Sequence, residues 1–131
     1  MERVKGIGGV FFKSRDPGAL LEWYREHLGI EHAHGCASFP WRRAEAPERR
    51  GSTVWSPFAH DTQYFAPSEA SFMINYRVDD LDAMLNQLRA AGITVDERIE
   101  ESEFGRFGWA MDPEGNRLEL WQPPASEDDE S

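Results

Sequence analysis

The chain has 131 residues, with 40% hydrophobic and 12% aromatic side chains, and 14 Lys and Arg against 24 Asp and Glu give it a net charge of −10. That is one domain's length and a folding composition, and so acidic a chain repels phosphate backbones, which excludes nucleic acid as an expected partner and favours a cationic or neutral small molecule. No apolar run approaches the ~20 residues of a membrane span, no apolar segment follows the charged start, and the one cysteine, Cys36, has no partner for an internal disulfide; the expectation is a cytoplasmic protein with no membrane partner and no structural zinc.

Val10 to Lys13 reads as a strand, rich in aromatic and branched residues. Asp16 can cap a helix that Pro17 opens. Leu20, Leu21, Tyr24 and Leu28 recur at helical spacing, and Gly29 supplies the stop. Ile30 to Ala33 is expected to begin a second strand, and Ser52 to Ser56 a third. Between them, Trp41 to Arg50 has the composition of a mobile loop. Further on, Phe72, Ile74, Tyr76 and Val78 alternate with polar or long side chains, which is strand periodicity. Asp79-Asp80 caps a helix whose buried face is Leu81, Met84, Leu85 and Leu88, ended by Gly92. Ile93 to Val95 reads as a strand. Gly108 to Met111 and Arg117 to Trp121 flank Asp112-Pro113-Glu114-Gly115-Asn116, a hairpin turn.

The chain repeats itself. Shifted by 64 residues, Phe12 meets Tyr76, Lys13 meets Arg77, Asp16 meets Asp80, Leu20 meets Met84 and Leu21 meets Leu85. Shifted by 66, Val54-Trp55 meets Leu120-Trp121 and Pro57 meets Pro123. Two collinear matches argue for two copies of one βαβββ unit. The expectation is a single domain over residues 1–125, with module one at about 5–65 and module two at about 70–124. Residues 126–131, with four acids in a row, are expected to be a disordered acidic tail. One module cannot cover both faces of its sheet, so two must pair, within a chain or between chains.

The repeat, with Tyr76-Arg77-Val78-Asp79-Asp80-Leu81-Asp82-Ala83 and Met111-Asp112-Pro113-Glu114-Gly115-Asn116-Arg117-Leu118-Glu119-Leu120-Trp121, resembles the vicinal oxygen chelate superfamily of glyoxalases, bleomycin-resistance proteins and extradiol dioxygenases. The resemblance covers about residues 5–124. It implies an α+β fold in which two tandem βαβββ modules form a curved mixed sheet around a cavity, with the helices outside. It also implies, for catalytic members, a divalent metal held by two ligands from each module, acting as a Lewis acid or oxygen-activating centre. The corresponding positions here are Gly9, Thr53, Met73 and Glu119. Only Glu119 is an ordinary ligand for such a metal, since Met73 is a soft thioether, Thr53 a weak neutral donor and Gly9 has no side chain. The expectation is therefore no cofactor, with a divalent metal as the alternative.

The histidines offer a weaker metal signal. His32 and His34 would share one face of a strand, or be two polar residues on a sheet edge. His60 lies in the loop after the closing strand of module one, where a loop can fold over the cavity mouth.

Glu119 alternates with Leu118 and Leu120, so it should face the inside of the sheet with Arg117 and Trp121. The same alternation points Phe11, Trp55, Met73 and Asn75 inward. The candidate ligand-binding set is Phe11, Thr53, Trp55, His60, Met73, Asn75, Glu119 and Trp121, with Glu119 the candidate catalytic residue. These side chains either line a small-molecule pocket or plug a solid core, with Glu119 paired to Arg77 or Arg117. Desolvation would raise the Glu119 pKa and fit it to act as a general base. Trp55 and Trp121, at equivalent repeat positions, are stacking candidates; Trp23 and Trp109 read as packing or interface residues. Arg42, Arg43, Arg49 and Arg50 make either an anion clamp or a solvated loop. The aromatic linker from Ser56 to Phe65 can cover the cavity or wrap a partner module.

The leading expectation is a homodimeric small-molecule-binding protein of the glyoxalase and bleomycin-resistance type without the metal centre. Its partner would be a small organic molecule. The alternative is a lyase, isomerase or dioxygenase acting through Glu119 or a rearranged metal site. A third reading is an interaction protein with a closed cavity.

Overall fold

The computed structural model describes residues 1–125; the acidic tail expected over 126–131 lies outside them. In chain order the elements are β1 Gly6–Ser14, α1 Pro17–Leu28, β2 Ala37–Arg42, β3 Arg50–Ala59, β4 Phe72–Arg77, α2 Leu81–Ala90, β5 Glu100–Ser102, β6 Gly105–Met111 and β7 Arg117–Gln122. The seven strands form one mixed sheet in the order β2-β3-β1-β4-β7-β6-β5. This is the α+β architecture of tandem modules. Module two shows all of βαβββ, and module one is one strand short of it.

Both helices start and stop for local reasons. The Asp16 and Asp80 carboxylates accept the backbone N–H of Ala19 and Ala83, closing the first turns of α1 and α2. Gly29 ends α1 at φ 71°, a left-handed conformation that suits glycine; its N–H returns to the Arg25 carbonyl and the Ile30 N–H to the Tyr24 carbonyl.

The modules meet along β1 and β4, which run antiparallel with Val10 opposite Ile74. β3 lies parallel to β1 on one side, with Trp55 beside Val10. β7 lies parallel to β4 on the other, with Leu118 beside Ile74. The sheet thus has an approximate two-fold axis between Val10 and Ile74. The axis confirms the opening-strand match of the repeat and corrects the closing one. The counterpart of Trp55 is Leu118, not Trp121.

Two expected strands are absent. Ile30 to Ala33 is irregular, because Ala33 and Cys36 pair across a tight turn in which His34 (φ 55°) and Gly35 (φ 84°) reverse the chain. At Ile93 to Val95 a single bridge forms, between Val95 and Ala110. Two strands were not anticipated: β2, which pairs with β3 across the Arg-rich turn, and the short edge strand β5.

The helices share one face. There Val78, Leu81, Met84, Leu85 and Leu120 form a buried cluster beneath α2, while Tyr24 of α1 meets Trp55 edge-on at 4.8 Å. The opposite, inner face carries Phe65, Met73 and Trp109, with Phe11, Phe58, Tyr64 and Phe107 packed around them. Burial of such aromatic side chains supplies much of the driving force for closing the chain over this face.

Candidate functional site

The site is built around Glu119 on β7. The Asp112–Asn116 turn sets the hairpin register: Asp112 N–H donates to the Asn116 carbonyl, its carboxylate accepts the N–H of Glu114 and Asn116, and Gly115 sits at φ 82°. That register puts Trp109 opposite Glu119, and the parallel pairing puts Asn75 on its other side.

All three are 1% exposed. Trp109 Nε1 donates to Glu119 Oε2 at 2.8 Å, and Asn75 Nδ2 donates to Oε1 at 2.6 Å. A third donor comes from the linker between modules, where Tyr64 Oη donates to Oε2 at 2.5 Å. Burial pushes the Glu119 carboxyl up, against the pull of its three hydrogen bonds and the Arg117 charge. Burial, with the adjacent Glu119 charge, also pushes the Tyr64 phenol up, so it stays a donor.

The linker is fastened over the inner face. Arg117 Nη1 donates to the carbonyls of Tyr64 (2.8 Å) and Ala66 (2.9 Å), and its guanidinium lies 4.9 Å from the Trp109 ring. Phe65 is fully buried beneath the segment, and Phe58 stacks on Tyr64. In this conformation, the linker occupies the inner face beside Glu119.

A second row crosses the same face. The Arg77 guanidinium lies between the rings of Trp121 (4.7 Å) and Trp41 (5.5 Å), and Phe107 stacks on the outer side of Trp121. Trp41 lies so close over Gly6 and Gly51 that a Cβ at either would collide with its ring.

The candidate residues separate into those the site gathers and those it does not. Phe11, Met73, Asn75 and Glu119 face inward together, and Trp121 lies one row along. Trp55 does not face inward: it packs against Phe12 at 5.2 Å and Tyr24, on the helix side. The misaligned repeat match had put it in register with Trp121. Thr53 is engaged in the sheet, accepting Trp41 Nε1 at 2.9 Å and donating to the Ile7 carbonyl. The two-fold counterpart of Glu119 is Ser56, which lies beside Phe11 and donates to the Gly35 carbonyl. His60 is exposed in the turn after β3. His32 bonds Glu22 at 2.7 Å and His34 turns the chain, so the two do not share a strand face.

Tyr64 and Trp109 are the site residues that the sequence reading did not assign. The signal for Trp109 stood in the turn, whose register brings it to Glu119; that for Tyr64 was the aromatic linker from Ser56 to Phe65, which pointed to a cover for the cavity without singling out this residue. The Arg-rich loop is largely exposed, at Arg42, Ala44, Glu45, Pro47 and Glu48, and Arg43 is its buried exception. Arg43 is 5% exposed and bonds the Asp79 carboxylate twice, at 2.6 and 3.0 Å, tying module one to the start of α2. These bonds from Arg43 hold the Asp79 carboxyl below its usual range.

Among the described residues no three His, Cys, Asp or Glu side chains converge. The Glu119 oxygens already take three donors, and the facing positions hold Gly9, Phe11, Met73 and Ser56. These residues, so arranged, do not fit an ion that needs several oxygen or nitrogen ligands.

A family model, the glyoxalase-like domain, matches residues 9–121. No curated protein matches the sequence. Among solved structures, methylmalonyl-CoA epimerase from Mycobacterium tuberculosis superposes with a TM-score of 0.59 at 20% identity, over 94% of this chain and 91% of that one. A variant methylmalonyl-CoA epimerase from Streptomyces coelicolor, in complex with 2-nitronate-propionyl-CoA, gives 0.67 at 18%, over 94% and 97%. A Mn(II)-bound glyoxalase from Novosphingobium aromaticivorans gives 0.59 at 19%, over 92% of this chain and 40% of that one. At these identities the likeness is one of fold. The manganese-bound neighbour corrects the expectation of no cofactor: a divalent metal belongs to what this architecture can carry.

Proposed function

The chain belongs to the glyoxalase-like domain family, and from that premise we propose that it binds a small organic molecule on the inner face of the sheet, at Glu119. The observation that carries the proposal is a carboxylate 1% exposed and held by three neutral donors. Two of these, Asn75 and Trp109, sit on the sheet. The third, Tyr64, belongs to a linker that a ligand can displace. Lifting Tyr64 frees one acceptor position on Glu119 Oε2, which keeps its bond from Trp109, and Asn75 Oδ1 is a second buried acceptor with no partner among the described residues. Two acceptors in an aromatic surround suit a ligand bearing N–H donors on an apolar body. The net charge of −10 also draws a cation and disfavours a polyanion such as an acyl-CoA.

The upward push on the Glu119 carboxyl favours a second reading, in which the same group moves a proton on the bound molecule as a general base. Under either reading the protein is placed in the cytoplasm, with Cys36 a free thiol, and acts as a homodimer. Exposed Ile7, Trp23, Phe39 and Phe72 are candidate contact residues. No helix among the described residues is long and apolar enough to cross a membrane.

The test is a thermal-shift and calorimetry screen of aromatic amines, aromatic carboxylates and methylmalonyl-CoA against the wild type and Glu119→Gln. An amine at a hundredfold excess over its Kd should add ~2.7 kcal/mol of stability to the wild type, and the substitution should remove that gain. No shift with any amine, or an equal shift in both proteins, overturns the proposal.

A further inference from the structure

The helix side of module two holds a cavity of about 600 Å³, lined mainly by apolar side chains, among them Tyr76, Met84, Leu88, Ala110, Leu118 and Leu120. It lies on the opposite face of the sheet from Glu119, since Leu118 and Leu120 alternate with that residue. Its size falls within the range of small-molecule sites.

The approximate two-fold axis shows what the corresponding place in module one contains. Val10 and Ile74 face each other at the axis, and their parallel neighbours are Trp55 and Leu118. Phe12 corresponds to Tyr76. The helix caps Asp16 and Asp80 align α1 with α2, so Leu20 corresponds to Met84 and Tyr24 to Leu88. In module one the indole of Trp55 sits between Phe12 (5.2 Å) and Tyr24 (4.8 Å), filling the gap between sheet and helix. Module two keeps one ring of this trio, Tyr76, and replaces the other two by leucines. Val4 and Ile93, on the rim, are 46% and 38% exposed.

We infer that this cavity is a second ligand site, for a neutral planar aromatic molecule of about the size of indole, which takes the place that the Trp55 ring takes in module one. The chemistry is apolar stacking against Tyr76 and contact with Leu88, Leu118 and Met84. No charged side chain is offered to it: the one acid in its lining, Asp112, spends its carboxylate on its own turn. A charged ligand would lose its hydration there without compensation.

The test uses indole as the probe, with binding to the intact chain followed by saturation-transfer NMR and calorimetry. Leu118→Trp and Leu88→Tyr each restore a module-one side chain and fill the cavity from within. Wild-type protein should bind indole, and each variant should lose about tenfold or more in affinity, because a filled site must be overpacked to admit the ligand. Glu119→Gln should bind indole as the wild type does, which separates this site from the inner face. Leu88→Tyr, at a partly exposed helix position, keeps the test decisive if Leu118→Trp does not fold. No binding by the wild type, or equal binding in a folded filled variant, overturns the inference. So does a wild-type dimer, read by sedimentation, that the filled variants dissociate, because a second copy would then cover this face.

Discussion

The Tyr64 hydroxyl donates to Glu119 Oε2 at 2.5 Å, joining the linker between modules to the closing strand of the sheet. Removing that hydroxyl leaves the carboxylate with two donors in a buried site. Tyr64→Phe should cost about 1–2 kcal/mol by chemical denaturation. It should also raise the Glu119 pKa further, since one of the bonds holding it down is lost. A carbon-13 titration of the carboxyl signal checks the second outcome.

Two substitutions at Glu119 should differ sharply. Glu119→Ala strands the Tyr64, Asn75 and Trp109 donors and should cost about 3–5 kcal/mol. Glu119→Gln keeps partners for Tyr64 and Trp109 and leaves one Asn75 group unpaired, as in the wild type, with Nδ2 taking the place of Oδ1. Its oxygen can accept Tyr64 and Trp109 while its NH2 donates to Asn75 Oδ1, the acceptor that lacks a partner, once the Asn75 amide turns over. Its stability at neutral pH should lie within about 1 kcal/mol of the wild type, or above it. Paired urea unfolding curves decide this.

The pH dependence of the same pair has a fixed sign. The Glu119 pKa in the folded chain lies above its ordinary 4.5, so folding favours the protonated form. Its contribution to stability is complete below the unfolded value and is lost as pH rises through the folded one. As pH rises from the ordinary carboxylate range through the raised folded-state value, the wild type should therefore lose stability relative to Glu119→Gln. A series of melting curves across that range, with the difference flat or rising in favour of the wild type, would contradict it.

Asp79 should behave in the opposite sense. The Arg43 hydrogen bonds hold its carboxyl below the usual 3.8, so its contribution is present above that value and is lost on acidification. Asp79→Asn should cost about 1–3 kcal/mol at neutral pH, because it removes the carboxylate that takes both of these hydrogen bonds from the buried Arg43, and should flatten the acid limb of the stability curve.

Much of this architecture was legible in the sequence because it is written locally. Asp16 with Pro17, Asp80, Gly29 and the Asp112–Asn116 turn each act within a few residues, and they fixed both helices and the closing hairpin. The inward position of Glu119 followed from its alternation with two leucines. What escaped was set by distant pairing. The irregularity in β1 between Ile7 and Gly9 shifts register in a way no short segment encodes, and a superficial Trp match hid that Trp55 belongs with Leu118. The positions of Tyr64 and Arg43 depend on partners 55 and 36 residues away, so their composition alone read as loop.

The seam between β1 and β4 has a wider consequence. In an assembly of two identical subunits, each amino-acid change appears twice, once on each side of the axis. Here both halves are one covalent chain, so each change appears once. Glu119 can face Ser56, and Leu118 can answer Trp55, without forcing the same choice on the other side. The fused sheet is free to make one half scaffold and the other half receptor, a division of labour that strict symmetry would forbid.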